Sequence, residues 1–306
     1  MYNGFVGGNM NLGMGILVTF IGGVFWGFSG VAGKYLFEYT GVTSDWLVPW
    51  RLLFAGCIML LYLYYKQGKE IFRILKEDYK DLLLYAIFGM MACQYTYFTT
   101  VQYSNAAIAT VLQYSAPPLI MVYMCYKERK KPAKIEVISL IFSCIGVFVL
   151  CTHFQFETFV ISPKALVWGM ISALAMVVNT VQPVNLLKKY GSFLPLAWSM
   201  TIGGSILFFW TRPDKIPVEY TWNLFGGFFA VVFLGTIVAF SFYMQGIKVI
   251  GPTKASLIAC VEPISATVLS IILLGTAFEF LDIVGIALIL MAVCLLTYPT
   301  KNKKNS

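Results

Sequence analysis

"ASLIACVEPISATVLSIILLG", residues 255–275, is a run of apolar and small residues holding one carboxylate, Glu262, followed directly by Pro263. At about 1.5 Å per residue, a helix of this length crosses a hydrocarbon core of about 30 Å. Glu262 then sits roughly 18 Å of helix from either end of its span, where a charge costs at least about 2.5 kcal/mol on insertion scales. Whether this stretch is a buried core helix or a membrane span depends on how the rest of the chain is built.

The rest is built the same way. The 306 residues are 59% hydrophobic and 12% charged, with a mean hydropathy of +0.77. A soluble domain carries about twice that share of charge. Apolar runs recur at about 13–36, 46–65, 81–102, 105–126, 134–152, 164–187, 192–210, 222–247, 251–274 and 280–298. This pattern predicts an all-α membrane protein of ten transmembrane helices. The longest polar segment, Lys66 to Asp81, is a loop and too short for a soluble domain. The opening residues, "MYNGFVGGNMN", hold no basic residue, and the apolar run after them is longer than a signal peptide needs. The first segment is therefore expected to stay as the first helix.

The net charge of +8 has a direction. With the N-terminus in the cytoplasm, every basic residue except Lys34, Arg51, Lys164, Arg212 and Lys215 falls in a cytoplasmic loop or the C-terminal tail. Both termini are thus expected inside. The same asymmetry explains the basic charge, and nucleic acid is not needed as a partner. His153 is the only histidine, so a histidine-based metal centre is excluded. None of the seven cysteines forms a C-x-x-C pair, and they read as small buried hydrophobes. There is no phosphate-binding glycine loop and no nucleophile motif. Neither an enzyme nor a cofactor-binding protein is expected.

At one constant offset and without a gap between residues 81 and 151, Gly89 meets Gly235, Tyr97 meets Tyr243, Ala109 meets Ala255, and Pro117 meets Pro263. Glu136 meets Asp282. At a slightly larger offset, "WRLLFAGCI" from Trp50 meets "WSMTIGGSI" from Trp198. The economical reading is two repeats of five helices, residues 1–152 and 153–306. An odd number of helices per repeat forces the halves into opposite orientations, the inverted-repeat pattern of secondary transporters.

The chain resembles the EamA-type, ten-helix members of the drug/metabolite transporter superfamily over nearly its whole length. The resemblance rests on "FWGFSGVAGK" in helix 1, the pair Trp50–Arg51 opening helix 2, "ATVLQYSAPPLIM" in helix 4, and the Glu–Pro pair in helix 9. One departure is Thr276, where the family often has a glutamate. The first half keeps one there, Glu128 in "YKER". The resemblance implies a plasma-membrane transporter, and the family includes exporters of amino acids and other metabolites. Uptake or exchange of a vitamin, nucleoside or sugar derivative, or passive facilitation, remains open at this point.

An acid in mid-membrane marks a transport path by default. Glu262 is the candidate for coupling, as a proton carrier, or for binding a substrate's amino group; its structural alternative is a residue that stabilises the kink at Pro263. Gln94 and Tyr97 in helix 3, Gln113 and Tyr114 in helix 4, Asn179 and Gln182 in helix 6, and Tyr243 and Gln245 in helix 8 are expected to line a polar cavity for a small-molecule substrate, because amides in hydrocarbon need partners. Trp26 and Trp168 are candidate walls for stacking a planar ligand. Trp46, Trp50, Trp210 and Trp222 read as an interfacial belt. Lys34 and Arg51 read first as snorkelling cations, with contact to a substrate carboxylate second for Arg51. Gly23 and Gly27 form a small-residue face for a neighbouring helix of the same chain, so the chain is expected to be a monomer or weak homodimer in lipid. Pro117, Pro118, Pro183 and Pro263 are expected to bend helices 4, 6 and 9.

Overall fold

Hydrocarbon offers backbone groups no water, so each must bond within its own segment, and the chain is helical accordingly. The computed structural model describes residues 10–104, 106–154, 162–274 and 279–297, and among these there is no strand. The helices are α1 Leu12–Tyr39, α2 Ser44–Gln67, α3 Tyr79–Tyr103, α4 Ala106–Gln113, α5 Ala116–Glu128 and α6 Lys134–Thr152. The second half follows with α7 Pro163–Tyr190, α8 Phe193–Thr211, α9 Trp222–Ile250, α10 Pro252–Ile258, α11 Glu262–Leu274 and α12 Phe280–Thr297. Among the described residues, six helices are long and apolar enough to cross a membrane: α1, α2 with its extension to Glu77, α3, α7, α8 and α9. Thr276 and the C-terminal lysines lie outside the described residues.

Local chemistry sets the ends. Asn11 accepts from the Met14 N–H at 2.8 Å and Thr221 from the Leu224 N–H at 3.2 Å, each satisfying a donor that a helix start leaves unpaired. Proline sets the breaks. Pro117 cannot donate to the Gln113 carbonyl, so α4 stops there and α5 begins after a turn. Pro263 does the same to Ala259, and residues Ala259–Val261 tighten into a 3₁₀ turn between α10 and α11. Pro183 interrupts α7 after Val181. Thus helices 4, 6 and 9 of the sequence reading are broken at their prolines, and 4 and 9 are pairs of half-helices.

The two halves correspond element by element. α3 and α9 each carry a π-helical stretch, Tyr85–Met91 and Phe233–Val238, at matching places. α2 packs on α8 and α6 on α12. α1 packs on α9 and α11, while its counterpart α7 packs on α3 and α5. Close approach is required at Gly27, where an added Cβ would run into Ser265 and the backbone of Glu262 and Ala266 on α11.

Several outward residues differ from their expected placement. Trp46 is buried against Phe228 at 5.5 Å, so it belongs to the core rather than to an interfacial belt. Trp210 and Trp222 are exposed, as a belt requires. Cys93 and Cys260 are buried, but Cys57, Cys144 and Cys294 are exposed on outward faces. The side chain of Cys151 lies outside the described residues. His153 joins α6 to α12, with Nε2 2.7 Å from Asp282 and Nδ1 3.3 Å from Glu279. At one end of the bundle, Lys189 lies 2.6 Å from Asp78 and 3.1 Å from Glu77, tying α7 to the segment before α3.

Candidate functional site

Glu262 is the first residue of α11, at the break that Pro263 imposes. The proline withholds the N–H that would have bonded the Ala259 carbonyl. In the 3₁₀ turn that results, Glu262's own N–H reaches that carbonyl. The second lone pair is taken by the Tyr114 hydroxyl, which donates at 2.8 Å from the matching break between α4 and α5. The carbonyl is therefore satisfied without the Glu262 side chain. Tyr114 Oη also lies 3.2 Å from Glu262 Oε2, and the Tyr97 hydroxyl lies 3.3 Å from Thr110 Oγ1. One hydroxyl hydrogen thus stands between a backbone carbonyl and a carboxylate.

Glu262 faces a small cavity of about 40 Å³ between the two halves. Trp26 from α1, Gln94 and Tyr97 from α3, and Gln113 from α4 share its wall. A neighbouring cavity of about 20 Å³ adds Tyr114 and Pro117, and Trp26, Gln113 and Glu262 border both. Gln113 is fixed by donating to Ser172 Oγ at 2.7 Å. Trp26 is held from behind by Phe240 at 4.8 Å and Tyr243 at 4.6 Å between ring centroids.

Five residues expected in the wall stand elsewhere. Trp168 lies near the start of α7 and packs edge-on to Tyr95 at 5.9 Å, away from the break. Asn179 is buried where α7 passes Gly89 of α3. Gln182, at the α7 break, donates to the Asp81 carbonyl at 2.9 Å and serves as a strut near the bundle's end. Tyr243 supports Trp26 and shares a 3.0 Å hydrogen bond with Thr180, one layer behind the cavity. Gln245 is buried on α9 outside both cavities. Amide content alone could not separate helix-to-helix contacts from cavity walls, because both satisfy a polar group out of lipid.

Arg51 is the larger correction. Rather than snorkelling, it is 1% exposed and lines the cavity. α2 begins at Ser44, so Arg51 lies two turns inside it, on the stripe shared by Leu47, Val48, Leu52 and Ala55 that faces the bundle. A cation two turns inside a span is costly against lipid, and that depth is the signal that places it in the bundle. Its guanidinium lies 4.6 Å from the centroid of the Phe98 ring and donates through Nε to Thr236 Oγ1 at 2.9 Å. Ser29 is a second wall residue that the sequence reading did not select. Among the described residues no cluster of histidine, cysteine and acids could hold a metal ion.

A family model described as the EamA-like transporter family matches residues 13–152 and 163–298. The chain is 36% identical over 291 residues, 94% of its length and 97% of the relative's, to a protein of Salmonella typhimurium named "Uncharacterized inner membrane transporter YicL". It is 21% identical to the "Uncharacterized transporter YyaM" of Bacillus subtilis, over 85% of this chain and 86% of that one. A crystal structure of 15% identity superposes on 92% of this chain and 96% of its own with a TM-score of 0.76, a likeness in fold.

Proposed function

We propose, from the premise that this chain belongs to the EamA-like transporter family, that it is a secondary active transporter moving amino acids or related small metabolites outward by alternating access. It is an integral membrane protein of the prokaryotic plasma membrane. Six long helices, two further helices and two pairs of half-helices make ten crossings with both termini inside, in two inverted halves. The basic residues gathered in one set of loops support that orientation.

The observation that carries the reading is Glu262, buried at a helix break and facing a cavity between the halves. A buried carboxylate without a cation at contact distance must take one up or bind a proton. It can hold a proton or a substrate's ammonium group, but not both, so one leaves as the other arrives. Proton entry then drives substrate exit. Tyr114 suits both states. When Glu262 is ionised, the hydroxyl donates to it. When Glu262 is protonated, it donates to the Tyr114 oxygen while the hydroxyl hydrogen turns to the Ala259 carbonyl.

Proteoliposomes with an imposed pH gradient and a panel of labelled amino acids test this. Wild-type protein is expected to concentrate at least one of them against its gradient, and Glu262→Gln only to equilibrate it. If the variant still concentrates the compound under the gradient, Glu262 is not the coupling residue. If nothing in the panel moves, the substrate class is wrong.

A further inference from the structure

Glu262 has a hydroxyl partner in Tyr114, but three other polar groups on the same cavity have none among the described residues. Trp26 Nε1, Ser29 Oγ and Arg51 Nη1 are all buried from solvent and unpaired among the described residues, and all three residues line the cavity. Trp26 Nε1 and Arg51 Nη1 are donors only, and Ser29 can donate. Trp26 and Ser29 are one turn apart on α1, so their Cβ atoms are about 5–6 Å apart on one face. Ser29 packs on Gly235 of α9, whose carbonyl lies 3.5 Å from Arg51 Nη2. The three therefore belong to one corner where α1, α2 and α9 meet.

The guanidinium is held, but not neutralised. Thr236 takes Nε, Gly235 takes Nη2 weakly, and Phe98 takes one face. Thr236 and Gly235 belong to the π-helical stretch of α9, a local distortion often found at functional sites. None of these partners carries charge, and Arg51 forms no ion pair within 4.0 Å among the described residues. A buried cation with a free donor edge, beside two further unpaired donors, is complementary to an oxyanion.

We infer that Arg51, Trp26 and Ser29 form a carboxylate-binding subsite, set against Glu262 across the same cavity, so that the ligand is a compact zwitterion bound at both ends. This rests on the reading of the cavity as a substrate site and narrows its chemistry. The carboxylate completes the guanidinium, and the ammonium displaces the proton of Glu262.

The test uses purified full-length protein in lipid nanodiscs. Thermal unfolding is followed with each of the twenty L-amino acids, the corresponding C-terminal amides and the decarboxylated amines as probes. At least one amino acid should raise the midpoint, its amide and amine should not, and Arg51→Gln should weaken the effect by about 10- to 100-fold. Arg51→Lys keeps the charge and should restore part of it. Arg51→Gln without ligand should melt no lower than wild type, because it removes an uncompensated buried charge. The inference is overturned if no amino acid shifts the midpoint, if amides act as well as acids, if Arg51→Gln responds like wild type, or if the unliganded variant is markedly less stable. Flux assays with the compound found separate the two readings. Binding through Arg51 without flux removes the transporter reading and leaves the subsite. Flux with unchanged KM in Arg51→Gln removes the subsite and leaves the transporter.

Discussion

Two glycines one turn apart on α1 should respond oppositely to the same substitution. A Cβ at Gly27 meets Ser265 Oγ, the Glu262 carbonyl oxygen and the Ala266 nitrogen. Two of these are backbone atoms of α11 and cannot rotate aside, so α1 and α11 must separate. Overpacking of this kind costs about 1–3 kcal/mol. Separation also takes the Val24 carbonyl out of reach of Ser265 Oγ, whose one hydrogen it shares at 3.0 Å with the Glu262 carbonyl at 2.8 Å, a loss of at most about 0.5–1.5 kcal/mol. Gly27→Ala should therefore lose about 1–4 kcal/mol. At Gly30 the nearest atom to an added Cβ is the Tyr97 hydroxyl at 3.5 Å, an ordinary contact. Gly30→Ala should instead gain up to about 1 kcal/mol from helix propensity. Reversible unfolding by SDS titration in mixed micelles measures both. Equal stability of the two variants, or a Gly27→Ala protein as stable as wild type, would refute the close packing of α1 on the α10–α11 break.

Tyr114→Phe should cost about 1 kcal/mol rather than twice that in the same unfolding assay, because one hydroxyl hydrogen serves the Ala259 carbonyl or Glu262 but not both; a loss above about 3 kcal/mol would show that the hydroxyl does more than this geometry allows. Hydrogen bonds from Lys189 and then Tyr190 hold the Asp78 carboxyl below its ordinary range. A depressed folded pKa gives stabilisation that is complete above the unfolded value, about 3.9, and is lost as pH falls through the folded one. Lys189→Met should therefore melt below wild type at neutral pH, with the gap closing in strong acid and shrinking in high salt; curves that stay parallel down to low pH would remove the link between α7 and Asp78.

The scaffold was largely legible in the sequence because bilayer physics is severe. Apolar runs follow from having no water to bond, and Pro117 and Pro263 marked the two breaks. Gln94, Tyr97, Gln113, Tyr114 and Glu262 were chosen for polarity in hydrocarbon and share one pair of cavities. What failed was direction. In a membrane both the lipid face and the core face of a helix are apolar, so hydropathy does not say which way a residue points. Gln182 and Trp168 were expected inward on depth and type alone, and they point into other contacts. Arg51 was assigned to the interface because the predicted start of its helix, near residue 46, left it about one turn inside. Moving that start to Ser44 buries it.

The repeat also separates what the scaffold needs from what a ligand needs. The half-helix breaks, the π-helical stretches and the pairing of α2 with α8 occur in both halves, so they belong to the architecture. The cavity charges do not recur. Glu262 aligns with Ala116, and Arg51 aligns with Ser199, whose hydroxyl is spent on the Leu196 carbonyl. Tyr114 aligns with Cys260. A symmetric bundle can rock between two faces of similar energy, because each half offers the other the same packing. A ligand held by unlike groups from α2 and α11 has no equivalent pose in the mirrored half. The contact from Tyr114 to Glu262 joins the two breaks directly, so any motion that opens one break alters the hydrogen bonding of the acid at the other.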